Sequence, residues 1–211
     1  MFLALAVLIM VMTTALLEAL DPDRQALWAS HRTAELLARS KEALVAYAMA
    51  GPNPGELPCP DMDASLDGRS DVSCGSPGKT AVGLLPWRTL GLPPTRDVAQ
   101  AFFWYAVSGR RKPGGAESGQ LLHLVKDPLR PLAAVVIAPG FPLRGQRRGH
   151  GAGKWGDLRK AYLEGANLLE VGDDDDLTFE SAVTSSVFND RLLVLEDQLL
   201  LSLPSRNGDG P

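Results

Sequence analysis

The chain has 211 residues, with 21 Lys and Arg against 25 Asp and Glu, a net charge of −4. That length suffices for one substantial core with an appended helix and is short for two full domains. The acidic balance excludes a general electrostatic attraction to nucleic acid or anionic lipid.

Residues 1–17, MFLALAVLIMVMTTALL, carry no charge and no helix breaker, and sit at the lower edge of the ~17–25 residues a helix needs to cross a bilayer. No basic stretch precedes this run and no small-x-small site follows it, so an uncleaved anchor is expected in preference to a signal peptide. After Glu18 comes Asp21-Pro22-Asp23-Arg24, where Asp as N-cap and Pro at the first helical position start a second helical segment or mark a kink. Residues 24–49 contain no Gly or Pro and place apolar side chains at Leu27, Ala34, Leu37, Leu44 and Ala48, predicting one buried helical stripe. Trp28 and Tyr47 flank that stripe, and Glu35 and Arg39 can pair across one turn of the exposed face. Gly51-Pro52-Asn53-Pro54-Gly55 ends the helix.

The 16 Pro and 21 Gly concentrate between residues 51 and 156, predicting turns and short strands there. Cys59 and Cys74 lie close together in a polar segment, and this spacing in an exported domain favours a disulfide over a metal pair. His31, His123 and His150 make no ligand spacing with them. Asp61-x-Asp63-x-Ser65-x-Asp67-Gly68, with Asp71 nearby, offers hard oxygens at alternating positions, as calcium loops do. Leu66 and Val72 stand where such a loop needs Gly and a bidentate acid. The segment is therefore expected to be a solvated acidic loop, with Asp61, Asp63, Ser65 and Asp67 as the candidate calcium ligands; no other cofactor is expected.

Candidate strands are Ala101–Ser108, Leu121–Val125 and Ala133–Ala138, each followed by a Gly- or Pro-containing turn. Asn189–Val194 adds one more, and Glu196–Leu203 reads as a short amphipathic helix. With no helix-length pattern between them, these strands predict an antiparallel sheet. Arg144, Arg147, Arg148, Lys154 and Trp155 belong to a basic, aromatic segment over 144–160 that could hold a single nucleic-acid strand by phosphate pairing and stacking. A loop balancing the acidic run Asp173–Asp176, itself read as a solvated turn, is the preferred reading. Gly151-x-Gly153-x-x-Gly156 lacks the βαβ context of a dinucleotide site. No GxSxG or HExxH motif and no unpaired cysteine is present, and Glu164 and Asp190 read as ordinary surface carboxylates, so no enzyme is expected.

The apolar N-terminal helix running into Ala43-Leu44-Val45-Ala46-Tyr47-Ala48 resembles the spine of type IV pilins and type II secretion pseudopilins. Gly55-Glu56-Leu57-Pro58-Cys59-Pro60-Asp61, Gly83-Leu84-Leu85-Pro86-Trp87-Arg88, Phe103-Trp104-Tyr105, Ala138-Pro139-Gly140, Tyr162-Leu163-Glu164-Gly165 and Phe188-Asn189-Asp190-Arg191-Leu192 extend the resemblance to a group of bacterial pilin-like proteins. Members of that group carry a basic leader, then a Gly and an apolar stretch with Glu at its fifth position. This sequence starts inside the apolar run, and Glu18 lies too deep to replace that Glu, so no processing site is assigned.

The expected architecture is α+β: a long N-terminal helix, membrane-embedded in its first part, packed on a small antiparallel sheet with loop-rich insertions and a short C-terminal helix. The expected division is an anchor over 1–20, its amphipathic continuation over 21–50, a disulfide-closed globular domain over 51–204 and a tail over 205–211. The resemblance implies a minor pilin or pseudopilin subunit at the bacterial inner membrane, with its globular part periplasmic or extracellular. Its implied partners are other pilin-like subunits, the assembly machinery and membrane lipid. The alternative is a membrane-tethered binding module that recognises DNA through 144–160.

Overall fold

The computed structural model describes residues 2–19, 22–51, 53–63, 65–148, 155–168 and 177–202. His150, Gly151, Gly153, Lys154, the Asp173–Asp176 run and the tail over 205–211 lie outside them.

The uncharged N-terminal run forms α1, Phe2–Ala19, and the chain after Asp21 forms α2, Pro22–Ala50. Pro22 opens α2 at the position where a missing N–H removes no helical hydrogen bond. Within α1 the Thr13 hydroxyl donates to the carbonyls of Ile9 and Met10, and that of Thr14 to Met10 and Val11, so both polar groups are satisfied inside the helix. Gly51 N–H donates to Tyr47 O at 2.9 Å and Gly55, at φ +83°, donates to Ala48 O at 3.0 Å, closing α2 with a left-handed turn that glycine tolerates.

The buried stripe of α2 is Thr33, Leu37, Ser40, Leu44 and Ala48. It starts later than the apolar pattern suggests: Leu27 and Trp28 are 70% and 77% exposed, and Ala34 is exposed as well. Arg191 Nη1 donates to Ser30 O at 2.8 Å, and from Thr33 onward the body covers one face of the helix. Ser40 enters the core because its hydroxyl donates to Leu36 O at 2.8 Å. The expected Glu35–Arg39 pair forms at 2.7 Å on the exposed face.

Among the described residues six strands follow: β1 Ala81–Leu84, β2 Trp104–Val107, β3 Leu122–Leu124, β4 Asp127–Ala138, β5 Leu177–Phe179 and β6 Arg191–Glu196. Between β4 and β5 lie α3, Trp155–Tyr162, and a 3-10 turn, Gly165–Leu168; α4, Asp197–Leu201, ends the described fold. β4 is the central strand. Its second half pairs antiparallel with β2 through Ala134–Ile137 and with β6 through Leu132–Ala138, while Leu132 also pairs with Leu122 of β3. β1 extends the sheet beyond β2, with Ala81 opposite Val107 and Leu84 opposite Trp104.

Two parts of the expected fold class are corrected. The sheet is mixed, because β5 pairs parallel to β3, with Leu122 opposite Leu177 and Leu124 opposite Phe179. β5 arrives through α3 and the 3-10 turn, a connection long enough to return a strand in the same direction. The expected membrane-embedded rod is the second correction. Among the described residues no helix is long and apolar enough to cross a membrane. α2 has the length but carries Arg24, Arg32, Glu35, Arg39, Lys41 and Glu42.

Both faces of the sheet are covered. Phe103, Tyr105, Val107, Ala134, Val136 and Leu195 pack toward Leu37, Leu44 and Ala48 of α2 and Leu200 of α4. The alternate residues Trp104, Ala106, Val135 and Ile137 pack with Leu122, Leu163, Leu177 and Phe179. The strand period of two thus feeds two cores, and every residue of β2 is buried. Each large side chain buried here contributes about 1.5–3 kcal/mol.

Candidate functional site

Cys59 and Cys74 form a disulfide with their Cα atoms 5.6 Å apart. Both cysteines of the chain are thus closed to thiol chemistry, and the bond is typical of an oxidising compartment. The enclosed segment is tied down at several points. Asp61 and Leu84 exchange backbone hydrogen bonds of 3.0 Å in an isolated bridge that continues from β1. The buried Lys112 ammonium donates to Cys74 O at 2.5 Å and Ser76 O at 2.8 Å, and burial pushes its pKa down. Tyr105 OH donates to Pro58 O at 3.2 Å.

Gly68 folds the middle of this loop onto Trp87. Its φ is +80°, a Cβ there would fall 2.1 Å from the indole ring, and its carbonyl accepts the N–H groups of Arg88 and Thr89 at 2.8 and 3.3 Å. Its own N–H donates to Asp61 Oδ2 at 2.6 Å. Met62 N–H donates to Asp71 Oδ2 at 3.1 Å, which folds Asp71 back toward the start of the loop.

The candidate calcium ligands therefore separate. Asp61 and Asp63 come together with Asp71, each offering a carboxylate oxygen within 4.8 Å of the others. Ser65 turns its N–H and hydroxyl to Asp63 Oδ1, at 2.7 and 2.5 Å. Asp67 Oδ2 pairs with Arg69 Nε at 3.2 Å and Arg88 Nη1 at 3.6 Å. Burial pushes the Asp61 carboxyl up to about 6, with Asp63, Asp71 and Asp67 adding to the shift against the Gly68 hydrogen bond. Burial likewise raises Asp71, while the hydrogen bonds from Ser65 hold Asp63 low. Alternating oxygens pointed to the loop, but the inclusion of Asp71 depends on the Met62 turn.

A second acidic group lies inside the fold. Glu164 and Asp190, read from sequence as surface carboxylates, are both buried. They exchange backbone donors: Glu164 N–H donates to Asp190 Oδ2 at 2.9 Å, and Asp190 N–H donates to Glu164 Oε2 at 3.1 Å. Asn167 Nδ2 adds a bond of 3.0 Å to Asp190, and Gln146 Nε2 one of 2.6 Å to Glu164. Burial, then the neighbouring Glu164 charge, pushes Asp190 up to about 8. This pair joins the segment after α3 to the start of β6.

The basic segment is divided by the fold. Arg144 and Arg147 are exposed. Arg148 instead turns inward and donates to the carbonyls of Gly140, Pro139, Ala161 and Tyr162, with its guanidinium 4.9 Å from the Tyr162 ring centre. Burial pushes its pKa down against the attraction of Asp97 and Glu164. Lys154 lies outside the described residues, and Trp155 is the first residue of α3. The five candidate binding residues are thus not brought to one described surface.

Among the described residues a continuous run of exposed apolar side chains lies on α1. Leu3 is 82% exposed, and Leu5, Val7, Leu8, Ile9, Met10, Val11 and Met12 are all exposed. Further along, Val45, Ala46 and Met49 of α2 and Leu193 of β6 line a groove of about 500 Å³ whose edge carries Lys41 and Glu42. No protein family, curated protein or solved structure was found to match this chain.

Proposed function

We propose that the chain is a pilin-like structural subunit that assembles by packing α1 among equivalent helices of sister subunits. The observation that carries this reading is the exposure of every described side chain from Leu3 to Thr14 on an apolar helix. Leaving so large a contiguous apolar surface in water is unfavourable, and such surfaces mark interaction sites. The resemblance of residues 43–48, 55–61 and 83–88 to pilin-like sequences agrees with it. In this reading the disulfide-closed body faces the periplasm or the exterior, and sister helices cover the apolar surface of α1. The body supplies rigidity and α1 supplies cohesion; no catalytic step is assigned to either.

The test compares the full chain with a variant lacking residues 1–20. The full chain is expected to fractionate with membranes or with sedimenting assemblies, while the truncated form remains a soluble, disulfide-bonded monomer. Sedimentation of both forms to the same extent would place cohesion elsewhere on the molecule and reject the proposal.

A further inference from the structure

Assembly through α1 leaves the acidic group inside the disulfide ring without a role. Asp61, Asp63 and Asp71 commit one oxygen each to donors of their own loop. Asp61 Oδ2 accepts from Gly68, Asp71 Oδ2 from Met62, and Asp63 Oδ1 from Ser65 and Leu66. A cluster of acids is common on protein surfaces and by itself indicates nothing. Asp61 differs from an ordinary surface acid: the residue is 1% exposed, and its Oδ1 is buried with no hydrogen-bond donor.

A buried carboxylate oxygen without a donor is costly, and adjacent like charges increase the cost. Neighbouring arginines do not relieve it, since Arg69 and Arg88 pair with Asp67. A cation would relieve it. The three acids grade from buried Asp61 through half-buried Asp71 to exposed Asp63, so the group reaches solvent at Asp63. Their oxygens lie within 4.8 Å of one another, the separation reached by opposite ligands of an ion held at about 2.4 Å.

We propose that Asp61, Asp63 and Asp71 bind one calcium ion, with Asp61 as the buried ligand. Calcium suits the site better than magnesium, because it accepts irregular oxygen ligation while magnesium requires near-ideal octahedral geometry. Water and loop oxygens complete the shell. The ion neutralises the charge held inside the Cys59–Cys74 ring and braces the loop against β1.

The test uses the full, disulfide-intact chain, stripped with chelator and titrated with CaCl2 or MgCl2 near neutral pH by calorimetry and thermal unfolding. Calcium is expected to bind once per chain and to raise Tm by a few degrees, with MgCl2 weaker by about tenfold or more. Asp61→Asn and Asp71→Asn should each weaken calcium binding about tenfold or more, while Asp67→Asn leaves it within about twofold. Asp71→Asn separates ligation from structure: by removing a repelled charge it should raise Tm in chelator while losing the calcium increment. Absence of heat and of a Tm shift at millimolar CaCl2, retention of parental affinity in both ligand variants, or equal affinity for magnesium would each overturn the assignment.

Discussion

Arg111 Nε donates to Asp197 Oδ1 at 2.5 Å, joining the turn after β2 to the first residue of α4 across 86 positions of sequence. Arg110 Nη1 reaches the other carboxylate oxygen at 3.1 Å, and the Asp197 side chain is only 2% exposed. Arg111 O also accepts the Leu57 N–H at 2.6 Å. One turn therefore ties the C-terminal helix to the segment that leads into the disulfide.

Removing one member of such a buried group leaves its partners uncompensated. Asp197→Ala is expected to destabilise the chain by about 3 kcal/mol, measured by urea denaturation. A change below about 0.5 kcal/mol, the scale of an exposed pair, would mean that the bridge adds nothing to the packing of α4.

Gly68 makes a second, steric prediction. Its positive φ and the 2.1 Å approach of a Cβ to the Trp87 ring leave no room for a side chain. Gly68→Ala should cost about 2 kcal/mol or more and, by displacing Trp87, should alter tryptophan fluorescence in the folded state. An unchanged spectrum and midpoint would contradict the packing described.

Arg148 distinguishes a structural role from nucleic-acid recognition. Its donors satisfy carbonyls of the β4–α3 connection and the end of α3, so Arg148→Ala should lower stability by roughly 1–3 kcal/mol. Arg144→Ala and Arg147→Ala, at exposed positions, should change it by less than about 0.5 kcal/mol. Equal effects of the three substitutions in thermal melts would remove the distinction.

The Glu164–Asp190 pair imposes a pH dependence. Burial raises Asp190 from 3.8 to about 8. Between those values the folded chain binds more protons than the unfolded one, so stability is greatest at the acidic end and falls as pH rises through the window. Asp61, raised to about 6, adds to the lower part of the fall. In chelator, the urea midpoint should be lower at pH about 8 than at pH about 5, and Asp190→Asn should flatten the difference. A slope that survives this substitution would assign the titration to another group.

Local patterns carried much of the fold. The uncharged run, Pro22 and the Gly51–Gly55 stretch mark the limits of α1 and α2, and apolar segments mark β2, β3, β4 and β6. β1 and β5 escaped because AVGL and LTF are too short to display a period; β1 exists by pairing with β2, and β5 by parallel pairing with β3. α3 was obscured by its Gly-rich approach and by the basic residues that suggested a loop. The start of the buried stripe on α2 was misplaced because Leu27 and Ala34 fit the helical period, whereas Thr33 and Ser40 are the residues that meet the body.

The candidate sites divide in the same way. The amino-acid sequence alone determined where apolar surface would concentrate, which two cysteines would pair and which loop would collect acids, because those properties depend on composition and short spacing. Tertiary structure decided that Asp71 rather than Asp67 joins Asp61, that Arg148 turns inward, and that Glu164 and Asp190 share a buried site. The physical reason is that desolvation and charge coupling depend on distances between residues far apart in sequence, and chain folding sets those distances.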